Sequence, residues 1–284
     1  MAKIKILINC PDKKGIIAAV TNFILKKDAN ITYIDQHVDL EHGIFFMRLE
    51  CEFAEENLKF ENFKHDFETE IATVFSMSWQ LFDSRDKPKM AIFVSKYDHC
   101  IYDILVRHHS GELNVDIPLI ISNHQDLQHI GESFGIPYFY IPVTKENKKE
   151  AEAAQLQLVK EHHIDFIVLA RYMQIIPKEI IEHFPNNIIN IHHSFLPAFP
   201  GAKPYHSAFK RGVKIIGATS HYVTEELDEG PIIEQDITRV SHDQSIDDFI
   251  IKGRDLEKIV LSRALKLHSE RKTMVFSNKT IIFS

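Results

Sequence analysis

Several kinds of protein are excluded by what this chain of 284 residues has little of. Cysteine is scarce: Cys10, Cys51 and Cys100 are odd in number and far apart, which suits free thiols in a reducing cytoplasm better than a disulfide framework. No Cys/His cluster stands at ligand spacing, so no metal is expected. Proline and glycine are few, at 11 and 10 residues, and neither an internal repeat nor a low-complexity tract occurs. The longest apolar run, Phe166 to Ile176, is broken by Arg171 and falls far short of a bilayer span. The first ten residues turn polar too early for a signal peptide. A net charge of -7 without any dense Lys/Arg run argues against nucleic-acid binding. What remains is a cytosolic globular protein, 44% hydrophobic and 26% charged, with room for one large domain or two ordinary ones.

The first 83 residues read as a complete α/β unit. Residues 3–9 form a strand, Cys10 to Gly15 a turn, and Ile16, Val20, Phe23 and Ile24 one face of a helix. A second strand starts near Ile31 and turns at His42-Gly43. In the next strand Phe45, Met47, Leu49, Cys51 and Phe53 alternate with Phe46, Arg48, Glu50 and Glu52, which predicts one covered and one wetter face. Phe60, Phe63, Phe67 and Ile71 recur at helical spacing, and Ser76 to Phe82 closes the unit as a fourth strand. The order βαββαβ is ferredoxin-like.

Ser84 to Lys89 is charged, carries Pro88 and lacks periodicity, so it reads as a linker, with a second domain from Met90 to Ser284. There the apolar runs 90–95, 117–122, 136–141, 165–170 and 187–191 alternate with helical patterns at 98–109, 125–134, 146–163 and 177–184. Apolar rather than alternating strands imply a Rossmann-like, mostly parallel sheet covered on both faces. Strands follow at 213–223 and 231–239, then a helix over 245–270 and a terminal hairpin over 274–283. His108-His109 and His162-His163 fall near helix ends, where they face the carbonyl end of the dipole.

Two stretches carry the candidate chemistry. The segment Asn187 to Gly201 begins as a buried strand and ends in the turn formers Pro197, Pro200 and Gly201. Asn190 and His192 lie on one face of that strand and Ile189 and Ile191 on the other. In a parallel sheet ligands bind beyond the carboxyl ends of the strands, where this pair stands. An amide beside an imidazole can cradle a carbonyl oxygen gaining charge; taken alone, Asn-x-His is more often a strand end whose polar residues cap backbone groups. The second stretch, Val213 to Thr224, runs into Glu225-Glu-Leu-Asp-Glu-Gly-Pro231. Glu225, Glu226 and Glu229 read as a solvated acidic turn. Gly230 and Pro231 fix the turn behind Asp228, and a carboxylate near His192 would set its tautomer and favour its protonated form.

Asn190-Ile-His192, Ser194-Phe-Leu-Pro197 and Leu227-Asp228-Glu-Gly230, in this order, resemble the signature of the folate-dependent formyltransferases, from about Met90 onward. The resemblance implies that Asn190, His192 and Asp228 act on the formyl group of 10-formyltetrahydrofolate. It makes Met173, Gln174, Ile175 and Ile176 the wall of a pteridine pocket, although Gln174 stands where the transformylases often have arginine. Val223, Thr224, Glu225, Glu226 and Leu227 become the loop whose backbone closes over the pteridine. His193 either positions water or packs the turn, and His221 is a pocket wall. Lys203, Tyr205 and His206 begin a helix that forms a flexible wall over the substrate.

The N-terminal unit resembles an ACT domain, a module that binds amino acids at subunit interfaces. This implies a homo-oligomer and a glycine or methionine effector near Asp12, Gly15, Asn30 and Ile31, with Asp28 standing where the family usually has glycine. ACT plus formyltransferase is the layout of the formyltetrahydrofolate deformylases, hydrolases that release formate for purine synthesis and balance one-carbon pools without a cofactor. Two local features agree. Ser95 to Asp103 lacks the glycines that let the ribonucleotide transformylases hold a phosphate, and His193 replaces their usual proline. A methionyl-tRNA formyltransferase is disfavoured, since no tRNA-binding domain follows and the charge is acidic. The rival expectations are formyl transfer to a small amine such as glycinamide ribonucleotide, and a non-catalytic folate or amino-acid sensor.

Overall fold

The computed structural model describes residues 2–54, 59–198 and 204–283. They fall into two compact units, Met1–Lys87 with Ile282–Ser284, and Pro88–Ile281. The first unit runs β1 (Ala2–Pro11), α1 (Ile16–Lys26), β2 (Asn30–Asp39), β3 (Ile44–Phe53), α2 (Phe60–Phe67), a π-helical turn (Glu68–Ala72), α3 (Thr73–Phe75) and β4 (Ser78–Asp83). The strands form one sheet in the order β2-β3-β1-β4, with β3 antiparallel to both β1 and β2. Ile16, Val20, Phe23 and Ile24 are the buried face of α1, and they meet Met47, Leu49, Phe63 and Phe67 in one core.

Two details depart from the alternating pattern. The face of β3 expected to be wetter is closed where Phe46 and Arg48 lie, at 0% and 1% exposed. His37 stacks on Phe46, while Arg48 reaches over the Tyr33 ring at 4.8 Å and pairs with Glu50. An arginine with its charge so partnered can stand in a buried row, and alternation of residue type alone does not reveal that. The helix bearing Phe60, Phe63, Phe67 and Ile71 also passes through a π turn at Glu68–Ala72. The register therefore shifts by one residue where the apolar spacing suggests continuity.

The second unit contains β5 (Lys89–Val94), α4 (His99–His109), β6 (Asp116–Ser122), α5 (Gln128–Phe134), β7 (Tyr138–Tyr140), α6 (Lys148–Glu161), β8 (Phe166–Leu169), α7 (Lys178–His183), β9 (Ile188–His192), α8 (Pro204–Arg211), β10 (Ile215–Tyr222), β11 (Ile232–Arg239), α9 (Ile246–Ser269), β12 (Thr273–Phe276) and β13 (Lys279–Ile282). Seven strands form one sheet in the order β11-β10-β9-β8-β5-β6-β7. The run from β9 to β7 is parallel, and β10 is antiparallel to both its neighbours. Successive β5 residues feed two cores. Met90, Ile92 and Val94 meet α4 and α9, and Ala91 and Phe93 meet the side of α6 and α7. Burial on both faces is why these strands read as continuous apolar runs. The strand order reverses at β5, so the loops after β5 and β8 diverge there and leave a crevice at the carboxyl edge. Ser95 bridges those loops, accepting from Met173 N at 2.9 Å and donating to Asn123 Oδ1 at 2.7 Å. No helix among the described residues is long and apolar enough to cross a membrane.

Candidate active site

Pairing of β9 with β10 sets Asn190 opposite His221 and His192 opposite Thr219. The turn leaving β9 is tied down by Thr219, whose hydroxyl donates to Ser194 O at 2.8 Å and accepts from Leu196 N at 3.0 Å. A bulge between Ser220 and His221 in the β10–β11 ladder re-aims the His221 side chain. Beyond β10 the chain doubles back, and Tyr222 N reaches Pro231 O at 2.9 Å. Gly230 is required there because a Cβ would lie 1.8 Å from Tyr222 O. The resulting loop holds Asp228 in the left-handed region (φ 60°) and turns its carboxylate back toward β9.

Three side chains from two strand ends converge. Asp228 Oδ1 lies 3.3 Å from His192 Nδ1 and 3.7 Å from His221 Nε2. Contact with His192, then with His221, holds the Asp228 carboxyl far below the ordinary carboxylate range, against a smaller opposing effect of burial. An ionised Asp228 only accepts, so it favours a proton on His192 Nδ1 and leaves Nε2 as the working nitrogen. His192 Nε2 is buried and has no hydrogen-bond partner among the described residues. A native buried polar atom left unpaired calls for an explanation, and a reaction site is one.

His221 is buried, and its Nδ1 lies 2.9 Å from Tyr222 O, an atom that can only accept, so Nδ1 is protonated. Its Nε2 faces Asn190 Nδ2 at 3.2 Å, closer than Asp228.

The trio forms one end of a cleft of about 290 Å³. Met173, Gln174, Ile175, Ile176, Val223, Thr224, Glu225, Glu226 and Leu227 line it, as do His193 and His221. Met173, Ile175 and Leu227 are exposed apolar side chains at its mouth. Glu225 is half solvated and pairs with Lys178 at 2.9 Å. The combination is apolar walls with a few convergent polar groups at one end, the usual make-up of a small-molecule site.

The formyl transferase family model matches residues 88–265, and the ACT domain model matches residues 4–59. A formyltetrahydrofolate deformylase from Synechocystis sp. is 50% identical over 98% of this chain and 98% of its own length. One from Bacillus subtilis is 44% identical over 99% and 93%. The crystal structure of a formyltetrahydrofolate deformylase from Pseudomonas syringae pv. tomato superposes with a TM-score of 0.96 at 48% identity, covering 100% of this chain and 95% of that one. The chain belongs to the formyltetrahydrofolate deformylase family.

Within this deformylase-family chain the residues of the proposed effector site are not brought together. Asp12 and Gly15 precede the N-terminus of α1, and Asn30 and Ile31 follow its C-terminus. Eleven helical residues separate the two pairs, roughly 16 Å of rise. Tyr205 also differs from expectation. It lies in α8, as does His206, but it is buried and hydrogen-bonded rather than part of a flexible outer wall. Lys203, and the turn formers Pro200 and Gly201, lie outside the described residues.

Sequence spacing also misses a second polar cluster. Glu257 on α9 accepts from Tyr205 Oη at 2.7 Å and contacts His99 Nε2 at 2.8 Å. Arg171, a further cleft residue held at φ 63°, brings its Nε within 3.4 Å of Glu257 without making an aligned hydrogen bond. His99, Cys100 and Glu257 place potential ligand atoms within 4.8 Å of one another. The Arg171 guanidinium already balances the carboxylate there, so an added dication would leave uncompensated positive charge in a buried site. Cys10, Cys51 and Cys100 are free and buried.

Proposed function

We propose that the chain hydrolyses 10-formyltetrahydrofolate to formate and tetrahydrofolate. The observation that carries this reading is His192 Nε2, buried and without a hydrogen-bond partner among the described residues, at the end of a cleft of about 290 Å³ that the Asn190 amide also lines. Water adds to the formyl carbon, and the carbonyl oxygen becomes an oxyanion. The Asn190 N–H and protonated His192 Nε2–H hold that charge; one such donor is worth roughly 10²–10³ in rate. The N10–carbon bond then breaks as the His192 proton passes to N10, formic acid leaves and ionises to formate, and the proton taken from water returns to His192. Asp228, its carboxyl held below the ordinary carboxylate range by contact with His192 and then His221, stays ionised beside the imidazolium. Its part is to orient His192 and stabilise the imidazolium. In this scheme the water's proton goes to His193, whose ring centroid lies 5.3 Å from that of His192.

Folate is the substrate in this scheme, and no cofactor takes part. The reaction is assigned to the cytoplasm. The ACT unit is assigned glycine or methionine as effector, in a homo-oligomer. Asp12-Gly15 of one copy with Asn30-Ile31 of another would complete a site that one chain holds apart. Incubating pure protein with 10-formyltetrahydrofolate alone tests the activity. Equal amounts of formate and tetrahydrofolate are expected. Release only after an amine is added would make the chain a transferase, and none under either condition would leave a binding protein. Calorimetric titration with both amino acids tests the effector, and absence of heat together with unchanged activity would overturn it.

A further inference from the structure

Behind the reacting end of the cleft lies a buried carboxylate that the hydrolytic scheme does not use. Glu257 is 1% exposed and sits on the apolar stripe of α9 with Val260, Leu261 and Ala264. A charge in that position is costly, and apolar residues of like volume often serve stability better. Its partners arrive from three separate segments: His99 at the start of α4, Arg171 after β8, and Tyr205 on α8. Burial alone would raise its carboxyl, but the His99 contact, the Arg171 charge and the Tyr205 hydroxyl hold it below the ordinary range. The Tyr205 ring, held by its hydroxyl, stands edge-on to His193 with centroids 5.8 Å apart and planes at 70°. Gly253, one turn before Glu257, makes room for it, since a Cβ there would lie 2.1 Å from the Tyr205 ring. The contacts thus run from Glu257 through Tyr205 to His193 and the cleft.

We propose that Glu257 and Tyr205 are positioning residues for hydrolysis, holding the His193 imidazole where it meets the attacking water. The proposal rests on the hydrolase reading, in which His193 receives the water's proton. A neutral apolar wall at Glu257 would leave the Tyr205 hydroxyl unanchored and loosen one of the contacts that orient His193. Misplacing a reacting group by about an ångström can cost up to about 100-fold in rate.

The test measures formate release by wild type, Tyr205→Phe, Glu257→Gln, their double variant, and Tyr205→Phe in a His193→Ala background, with circular dichroism and Tm as folding controls. Wild type comes first: no formate would sink the hydrolase reading itself. With wild type active, each single variant is expected to lose roughly 10-fold or more in kcat with KM for the folate within about twofold. The double variant should be no worse than the poorer single, and Tyr205→Phe should be silent once His193 is alanine. Should Glu257→Gln fail to fold, Gly253→Ala replaces it, displacing the Tyr205 ring without touching any charge, with the same loss expected. Folded single variants with wild-type kcat, multiplicative losses in the double, or a full Tyr205→Phe loss without His193 would each overturn the positioning role.

Discussion

Asp228 and Glu257 are two carboxylates with similar partners and opposite circumstances. Each contacts histidine, each is held below the ordinary carboxylate range, and each depends on a glycine that brings chain or ring close behind it. Asp228 is partly open to the cleft, and its histidine keeps one nitrogen unpaired. Glu257 is sealed, and both its oxygens are engaged by protein. Unspent hydrogen-bonding capacity beside a cavity is what distinguishes a group that can act on a substrate from one that can only hold its neighbours. Perturbed carboxylates do not by themselves mark the reaction site, because structural ion networks perturb them as well.

The contrast is broken most directly at the open end. His192→Ala or Asn190→Ala is expected to lower formate release by roughly 10²–10³. The KM should stay close to wild type, while the Tm falls modestly, since His192→Ala removes a partner of Asp228 and Asn190→Ala one of His221. Near-full turnover in His192→Ala would remove the assignment of the trio.

At the sealed end the expected loss is stability. Glu257→Ala leaves Arg171 as a buried cation without its partner, a change that typically costs about 3–5 kcal/mol. For a unit of this size that corresponds to a Tm lower by roughly 10 °C, read by calorimetry. A Tm unchanged from wild type would mean that the Glu257 cluster is far looser than its contacts imply.

The two clusters also differ in how far they can be read from the chain. β5 to β9 announce themselves as apolar runs because each strand feeds cores on both faces, and Asn190, His192 and Asp228 stand at turns that the pattern marks. The Glu257 cluster draws on His99, Arg171 and Tyr205, with His99 separated from it by 158 positions, and no local period encodes such a meeting. One signal was present: a carboxylate one turn beyond Gly253 on a stripe otherwise made of Val260, Leu261 and Ala264. Phe46 and Arg48 show the same limit in the first unit. Their burial depends on what covers a sheet face, and alternation along β3 registers only residue type.

The glycines sharpen the comparison at a smaller scale. In Gly230→Ala the new methyl meets backbone, Tyr222 O, which has nowhere to move. Overpacking of this kind costs typically about 1–3 kcal/mol, occasionally more. The same shift moves Asp228, so activity and Tm should fall together. If activity fell with no change in Tm, the loop would be adjusting around the methyl and Gly230 would serve only to aim the carboxylate.

The smallest expected effect lies in the acid limb of stability, where the two carboxylates agree. A carboxyl with a folded pKa below its unfolded value, near 4, stabilises the fold above that value and loses the contribution as pH falls through the folded one. For Asp228 the folded value lies well below that range, so its contribution is complete at neutral pH and erodes only below about pH 4. The Tm difference between wild type and Asp228→Asn should therefore be flat from neutral pH to about pH 5 and shrink below about pH 4. A difference that instead vanished between pH 6 and 7 would place the titration on the imidazoles. Asp228 would then gain its partners only when they are protonated, and the resting tautomer argued for His192 would have to be reversed.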